Sequence, residues 1–461
     1  MELKRDLTLF DLTNIVVGSI VGADIYIASA LTAGLVGPFA IVVWALAAVC
    51  ATVLALVFAY CGYHLPRVGG PFAYVSEAFD DFYGFLAGWS LWIAEILSLP
   101  VFAIAFVQYL EYFLPLTPVE EVIVKGLFLG ILTLVNIAGV KAAGRVNDLL
   151  TMLKLLPLLA LVVAGLGTFL LDPGPFLANY TPLAPLGFAG LGTAFVLIFW
   201  AYAGFEMGTF PASEVKDPKR TIPRAIISGM LIVTAFYLST NFVVFGMVPW
   251  QVLAGSKTPL VLVGAALFGA GGAAFMTVGA LVSVSGSDES GILGTARLSY
   301  AMAIDGLFPS AFALVHPRTG TPWAALALEG VIAFLLSLVA GIPGLISFAV
   351  FNMAFSFLLT CLALTVLSRH KEGRLPGEAV LPWIGILICL YLLCSTSIAD
   401  KIIGSLVILA GIPLYVFFSP KTDIQHLKEL FTSEEAIFAR RMARQRRFLA
   451  NLLRLARKII E

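Results

Sequence analysis

The chain is dominated by apolar stretches of about 20 residues, the length that an α-helix needs to cross the hydrocarbon core of a bilayer. Hydropathy predicts about twelve such spans, each bounded to within a few residues. They lie at about 9–35, 38–63, 83–114, 119–138, 146–171, 187–212, 222–247, 271–302, 321–342, 344–368, 379–398 and 402–419. Between spans 7 and 8, the segment 246–272 is apolar but interrupted by Pro249, Pro259 and several glycines. We expect it to form a surface lid, because irregular backbone is not tolerated against lipid.

Composition excludes several classes of protein. Of the 461 residues, 60% are hydrophobic and only 12% are charged. A soluble enzyme, a nucleic-acid binder or a disordered chain needs far more charged surface. We therefore predict an all-α multi-pass membrane protein with no nucleic-acid partner. Its transmembrane domain is predicted to cover 1–419, with spans 1–5 at about 9–171, spans 6–10 at about 187–368 and spans 11–12 at about 379–419.

Positive charge predicts the orientation in the membrane. With the N-terminus in the cytoplasm, only Lys125, Lys257 and Lys401 of the 28 Lys and Arg residues lie in outside loops, and Lys154 lies within a span. Basic loops resist translocation, so both termini are expected in the cytoplasm of a cell-membrane protein. The tail 420–461 is basic and is expected to form an amphipathic helix. It would dock either on anionic lipid or against the protein's own loops.

Two predicted spans are interrupted by glycine near their middles. Span 1 contains Gly-Ser-Ile-Val-Gly-Ala-Asp-Ile-Tyr at 18–26, and span 6 contains Phe-Trp-Ala-Tyr-Ala-Gly-Phe-Glu at 199–206. Glycine permits unwinding, and unwound backbone at membrane depth is tolerated where it lines a cavity. Glycines also allow helices to pack closely, which is the alternative interpretation. Because the two interruptions lie five spans apart, they favour a transporter with a central site and predict breaks near Val21 and Ala203.

Four motifs in order resemble those of the amino acid–polyamine–organocation superfamily, which has the leucine-transporter-like fold. The similar segments are Gly18–Tyr26, Pro66–Val75 with Gly84–Trp89 after it, Glu214–Ala225 and Arg297–Pro309. The resemblance covers span 1 to at least span 10. It implies alternating access and a 5+5 inverted repeat with broken spans 1 and 6. It does not identify a substrate.

The two interruptions also supply candidate substrate-binding residues. Freed N–H groups in span 1, at the positive end of a helix dipole, suit a carboxylate, and freed carbonyls in span 6 suit an ammonium group. Aromatic rings beside them can close over a side chain or bind a cation. The candidates are Ser19, Ile20, Val21, Gly22, Asp24, Phe199, Trp200, Ala201, Tyr202 and Gly204.

Ionisable residues within the spans are costly and usually functional. They are Asp24, Glu95, Lys154, Glu206, Asp288, Glu289 and Glu329. The candidates for ion coupling among them are Lys154, Asp24, Glu206, Asp288 and Glu289. Six acids against one lysine favour a cationic cargo.

Lys154 resembles the family lysine that occupies the place of a sodium ion in proton-coupled members. We expect it to approach Gly18 and to face span 8; the alternatives are a structural ion pair or a side chain that snorkels to the cytoplasm. Asp24 stands where the family usually has glycine. Its carboxylate would pair with a cargo amine, carry a proton or bind a metal cation, or would merely cap the exposed backbone. We expect it to face the central cavity and to favour cationic cargo.

Together these features predict a proton-coupled secondary transporter of amino acids or related amines. The alternatives in the same class are a substrate exchanger and a carrier of polyamines or inorganic cations. A channel would show repeated filter loops, and a receptor would carry a larger soluble domain. We expect no catalytic residues, metal or cofactor, because the four histidines fall in predicted cytoplasmic loops or the tail, at His64, His316, His370 and His426.

Overall fold

The computed structural model describes residues 7–419 except 68, 211, 213–214 and 370–374, and for 140–148 only the backbone is described. The described chain consists of α-helices with short 3-10 turns. The helices are α1 (Leu9–Ile20), α2 (Ala23–Val36), α3 (Ala40–His64), α4 (Pro71–Ala78), α5 (Asp81–Leu110), α6 (Pro118–Ala138), α7 (Val140–Leu171), α8 (Pro173–Ala178), α9 (Leu191–Tyr202), α10 (Pro218–Met247), α11 (Trp250–Ala254), α12 (Pro259–Ile304), α13 (Trp323–Val339), α14 (Ile342–Leu367), α15 (Leu381–Ser395) and α16 (Ile398–Phe418).

Within the described residues, nine helical stretches are long and apolar enough to cross a membrane. One of them, Leu9–His64, contains both span 1 (α1 with α2) and span 2 (α3). Two shorter apolar helices, α13 and α15, complete the twelve expected passages. The prediction of an all-α multi-pass membrane protein is confirmed. The inverted repeat and the division at 419 stay predictions, and the tail 420–461 lies outside the described residues.

Helix ends follow local sequence signals. Capping boxes start α1 at Thr8, α6 at Thr117 and α16 at Ser397, because in each the capping hydroxyl and the acid three residues later bond each other's backbone N–H. The structure corrects one boundary. Span 8 was expected to begin near 271, but α12 begins at Pro259, because proline suits the first turn of a helix. A kink at Gly269, with φ 65°, separates the first part of α12 from the rest.

Apolar residues cover the exterior of the protein as well as filling its core, and several charged residues are buried. Exposed positions include Leu134, Val339 and Phe417, whereas Lys154 and Asp288 are fully buried. An apolar exterior of this kind suits lipid, which solvates hydrocarbon as well as a protein core does. At the centre, α1 packs against α10 and α12, and α2 packs against α9. Helix α5 packs against α12 and α14 on the other side of this centre.

Candidate functional site

Both predicted helix breaks are present in the structure. Helix α1 ends at Ile20 and α2 begins at Ala23, while α9 ends at Tyr202 and span 6 continues as the 3-10 turn Phe205–Thr209. Gly204 has φ 114°, a conformation that L side chains rarely adopt. A Cβ atom placed on it would lie 3.0 Å from the carbonyl carbon of Ser19. The two breaks are therefore in direct contact.

Lys154 lies beside the end of α1. Its Nζ donates to the Gly18 carbonyl oxygen at 2.5 Å and to Ser287 Oγ at 3.1 Å, and the lysine is fully buried. The Ser287 hydroxyl in turn donates to the Val21 carbonyl oxygen at 2.7 Å. The expected approach of Lys154 to Gly18 and to span 8 is confirmed. One lysine thus links α7, the break in span 1 and α12, and satisfies carbonyl groups that the break frees.

Asp24 is at the start of α2 and is 3% exposed. Its Oδ1 accepts from the Gly22 N–H at 2.7 Å, and its Oδ2 accepts from the Tyr237 hydroxyl, which belongs to α10. The same hydroxyl oxygen lies 3.0 Å from the Ile20 carbonyl oxygen. Asp24 therefore caps the backbone of the break, as one of the alternatives from the sequence proposed, although it also borders the cavity described below.

Glu206 forms a similar contact at the other break. Its two carboxylate oxygens lie 3.1 and 3.0 Å from the N–H of Gly204, the residue two positions earlier. Its carboxyl group also lies close to that of Glu95 of α5, which lines the same cavity. Both glutamates are buried. Glu206 thus caps span 6 on one side and meets a second acid on the other.

A cavity lies where the two breaks meet, which is where a transporter with discontinuous helices has its central site. The sequence candidates that line it are Ser19, Ile20, Asp24, Trp200, Gly204 and Glu206. The remaining substrate candidates lie behind this lining and are buried, namely Val21, Gly22, Phe199, Ala201 and Tyr202. Phe199 stacks on Phe195, and the Tyr202 ring contacts Trp44 and Tyr237. These residues support the cavity wall without lining it.

Asp288 and Glu289 also lie outside the lining. Both are buried in α12. Neither oxygen of the Asp288 carboxyl group has a hydrogen-bond partner within the described part of the chain. The backbone carbonyl of Glu289 accepts from the Asn136 amide of α6 at 3.4 Å. The structure therefore separates these two coupling candidates from the lining formed by Asp24 and Glu206.

The structure also identifies lining residues that the sequence did not single out as binding residues. They are Glu95, Ser98, Phe102, Ala203, Met207, Ser287, Gly291 and Met353. Ser98 Oγ accepts from the Trp200 indole N–H at 3.0 Å, which fixes that ring at the cavity. One signal was available: Glu95, Ser98 and Phe102 are spaced i, i+3 and i+7, so they share one face of α5.

Comparison with known proteins agrees with this architecture. Residues 7–418 match the family described as amino acid permease. The branched-chain amino acid permease BcaP of Bacillus subtilis is 27% identical over 446 residues, which cover 91% of this chain and 94% of the relative. The methylthioribose transporter of the same organism is 26% identical over 452 residues, covering 92% and 95%. Its serine/threonine exchanger SteT is 27% identical over 434 residues, covering 90% and 96%.

The family match extends over nearly all the described chain, including both breaks and the cavity between them. The relatives are named as permeases, transporters or exchangers, and none as an enzyme. Their similarity to this chain covers almost their full lengths, so it is not confined to a shared segment. The chain therefore belongs to the amino acid permease family of the amino acid–polyamine–organocation superfamily and is a multi-pass membrane transporter.

Proposed function

We propose that the chain is a secondary active transporter of amino acids or related amines that works by alternating access. The observation that carries the proposal is the contact between the two helix breaks at one cavity, with Gly204 against Ser19. Discontinuous helices at the bilayer midplane provide unpaired backbone groups for a zwitterionic cargo. A continuous helix would have used those groups in its own hydrogen bonds.

The cargo carboxylate is proposed to bind N–H groups at the start of α2, the positive end of that helix. The N–H of Gly22 already bonds Asp24, and Ser19 and Ile20 belong to the last turn of α1, so the N–H groups of Ala23 and Asp24 in the first turn of α2 are the nearer candidates. The cargo ammonium is proposed to bind carbonyls at the end of α9. The Trp200 ring would then cover the cargo, because the hydrogen bond from its indole N–H to Ser98 holds it at the cavity.

Lys154 is proposed to couple transport to protons. Its charged form donates to the Gly18 carbonyl and to Ser287, and so joins α7 to the break and to α12. Loss of the proton removes the charge that strengthens these hydrogen bonds. The end of α1 would then be free to move relative to α12. In this proposal Lys154 alternates between its charged and its neutral form, and the change of form accompanies cargo release.

The proposed location is the cell membrane with both termini in the cytoplasm. The support is the distribution of basic residues, since only Lys125, Lys257 and Lys401 lie in the loops assigned to the outside. Accessibility of single cysteines introduced at Lys257 and Lys216 to a membrane-impermeant reagent tests this orientation. Labelling of the first position alone in intact cells is the expected result.

Uptake into proteoliposomes tests the coupling role. We expect an inward proton gradient to drive accumulation of an amino acid by the natural protein. Lys154→Ala should reduce this gradient-driven accumulation at least about tenfold, because the coupling charge is lost. Exchange of internal for external cargo should survive, because it needs only movement of the loaded carrier. Lys125→Ala is the matched control, since Lys125 lies away from the breaks and contacts Glu121 at 3.9 Å.

The outcomes separate the proposal from its alternatives. An unchanged gradient response in Lys154→Ala contradicts the coupling role. Uptake by the natural protein that requires internal cargo and ignores the gradient identifies an exchanger. If the protein takes up polyamines or inorganic cations but no amino acids, it is a carrier of those cations. The acidic residues within the spans are the support for this alternative.

A further inference from the structure

The cavity has two different ends along α5. At one end, Phe102 lies beside the break in span 1, where a Cβ atom on Gly22 would be 2.9 Å from its ring. At the other end, Glu95 lies against Glu206 of span 6. Glu95 and Phe102 are seven residues apart in a continuous helix, which is about 10 Å along its axis. A cargo anchored at the Gly22 end of this break, where α2 begins, would therefore extend along α5 toward Glu95.

The acidic end has an unused hydrogen-bonding atom. Glu95 is 7% exposed, and its Oε1 has no hydrogen-bond partner within the described residues. Two carboxyl groups that lie close together repel each other when both are ionised, so a proton or a cation between them is favourable. The cavity lining contains no lysine or arginine. A buried charge without an opposite charge is costly, so the pair is suited to a cationic occupant.

Distance decides which cationic group of a cargo reaches the pair. The α-ammonium of an amino acid lies within about 3 Å of its own carboxylate carbon, so it stays near the start of α2, where the carboxylate is proposed to bind. A lysine side chain carries its ammonium on a four-carbon stem, roughly 6 Å beyond Cα. The stem would pass the thioethers of Met207 and Met353, which line the cavity and adapt to flexible apolar groups.

We infer that the Glu95–Glu206 pair binds a primary ammonium group at the far end of the cargo. The inferred cargo class is amino acids with a cationic alkyl side chain, such as lysine and ornithine. This inference rests on the proposed transport function and narrows its substrate class. A diamine offers the same ammonium chemistry without a carboxylate, so the experiment compares lysine with cadaverine, which differs from lysine only in lacking that group.

The test measures uptake of radiolabelled lysine, leucine and cadaverine by the full chain in proteoliposomes. We expect lysine to be preferred over leucine, and Glu95→Gln to raise the KM for lysine about tenfold to a hundredfold, because a hydrogen bond between charged groups is lost. The KM for leucine should not rise, since leucine carries no side-chain ammonium that could reach the pair. The matched control is Glu329→Gln. Glu329 is equally buried but contacts Trp92 and Ser299 outside the cavity lining.

Each outcome has one meaning. Equal losses for lysine and leucine in Glu95→Gln, with unchanged thermal melting, overturn the inferred subsite while leaving the transport function in place. Leucine uptake without lysine uptake by the natural protein also overturns it. If the natural protein takes up neither these three compounds nor any other amino acid, both the proposed function and the inference are contradicted. Cadaverine uptake that exceeds lysine uptake shows that the ammonium subsite exists but serves diamines, which overturns the assignment to amino acids.

Discussion

The breaks in spans 1 and 6 share one local device but lie in different surroundings. In each, a carboxylate accepts the backbone N–H of a glycine two residues earlier: Asp24 from Gly22 and Glu206 from Gly204. The Asp24 carboxylate then receives a second donor, the Tyr237 hydroxyl of α10. The Glu206 carboxyl group lies close to another acid, Glu95, in the cavity lining. The first carboxylate accepts hydrogen bonds from two donors of the protein, whereas the second lies beside another carboxyl group, and a proton or a cation would stabilise the two together.

The difference extends to the backbone of each break. Around span 1, donors from other helices engage the carbonyls that the break frees: Lys154 at Gly18 and Ser287 at Val21. The short turn after Gly204 instead satisfies itself through 3-10 bonds, such as Met207 N–H to the Gly204 carbonyl oxygen at 3.2 Å. Span 1 is therefore held by its neighbours, and span 6 depends on its own local geometry. Under the proposed function, this difference predicts a mainly structural role for Asp24 and a cargo-facing role for Glu206.

The largest expected effect comes from forcing the two breaks apart. Gly204→Ala places a side chain at φ 114° and 3.0 Å from the backbone of Ser19. Strain and overpacking together should lower the free energy of unfolding by about 3–5 kcal/mol and abolish uptake. Thermal melting in detergent and proteoliposome uptake measure both effects. Gly271→Ala is the control, because an added Cβ there meets nothing within 4 Å. Normal uptake by Gly204→Ala would show that the close contact is not required.

A smaller effect is expected from removing the carboxylate of span 1. Asp24→Ala leaves the Gly22 N–H and the Tyr237 hydroxyl without their acceptor, which should cost about 2–4 kcal/mol of unfolding free energy. Uptake of every cargo should fall to the same degree. Glu206→Ala is the comparison and should lower melting less but change cargo preference more. If Asp24→Ala lowered the uptake of cationic cargo more than that of neutral cargo, the expectation that this residue recognises cargo would be restored.

The smallest effect is expected at the tyrosine that completes the Asp24 cap. Tyr237→Phe removes one donor to the carboxylate while the Gly22 N–H bond remains, so unfolding free energy should fall by about 1–2 kcal/mol. The KM ratio of lysine to leucine should not change, since the Glu95–Glu206 end is intact. A shift in that ratio would mean that Asp24 reaches the cargo after all, and the contrast between the two breaks would be lost.

Much of this architecture could be predicted from local sequence. The spans followed from apolar length, and the breaks near Val21 and Ala203 followed from glycine interruptions in two spans that lie five spans apart. The start of α12 could not be predicted by hydropathy, because a segment with Pro259 and several glycines resembles a loop in composition. Only the folded chain shows that Pro259 begins a helix and that Gly269 bends it without ending it.

The sequence by itself determined the membrane-spanning class, the positions of the two breaks and the inventory of charged groups at membrane depth. These depend on residues close together in the chain, whose spacing sets helix length and backbone freedom. Tertiary structure alone decided which side chains these charged groups contact. Asp24 is paired with Tyr237, 213 positions away, and Glu95 faces Glu206 because the rotation of α5 turns its Glu95–Phe102 face toward span 6. Helix rotation is set by packing against neighbouring helices, so no spacing within a single span encodes it.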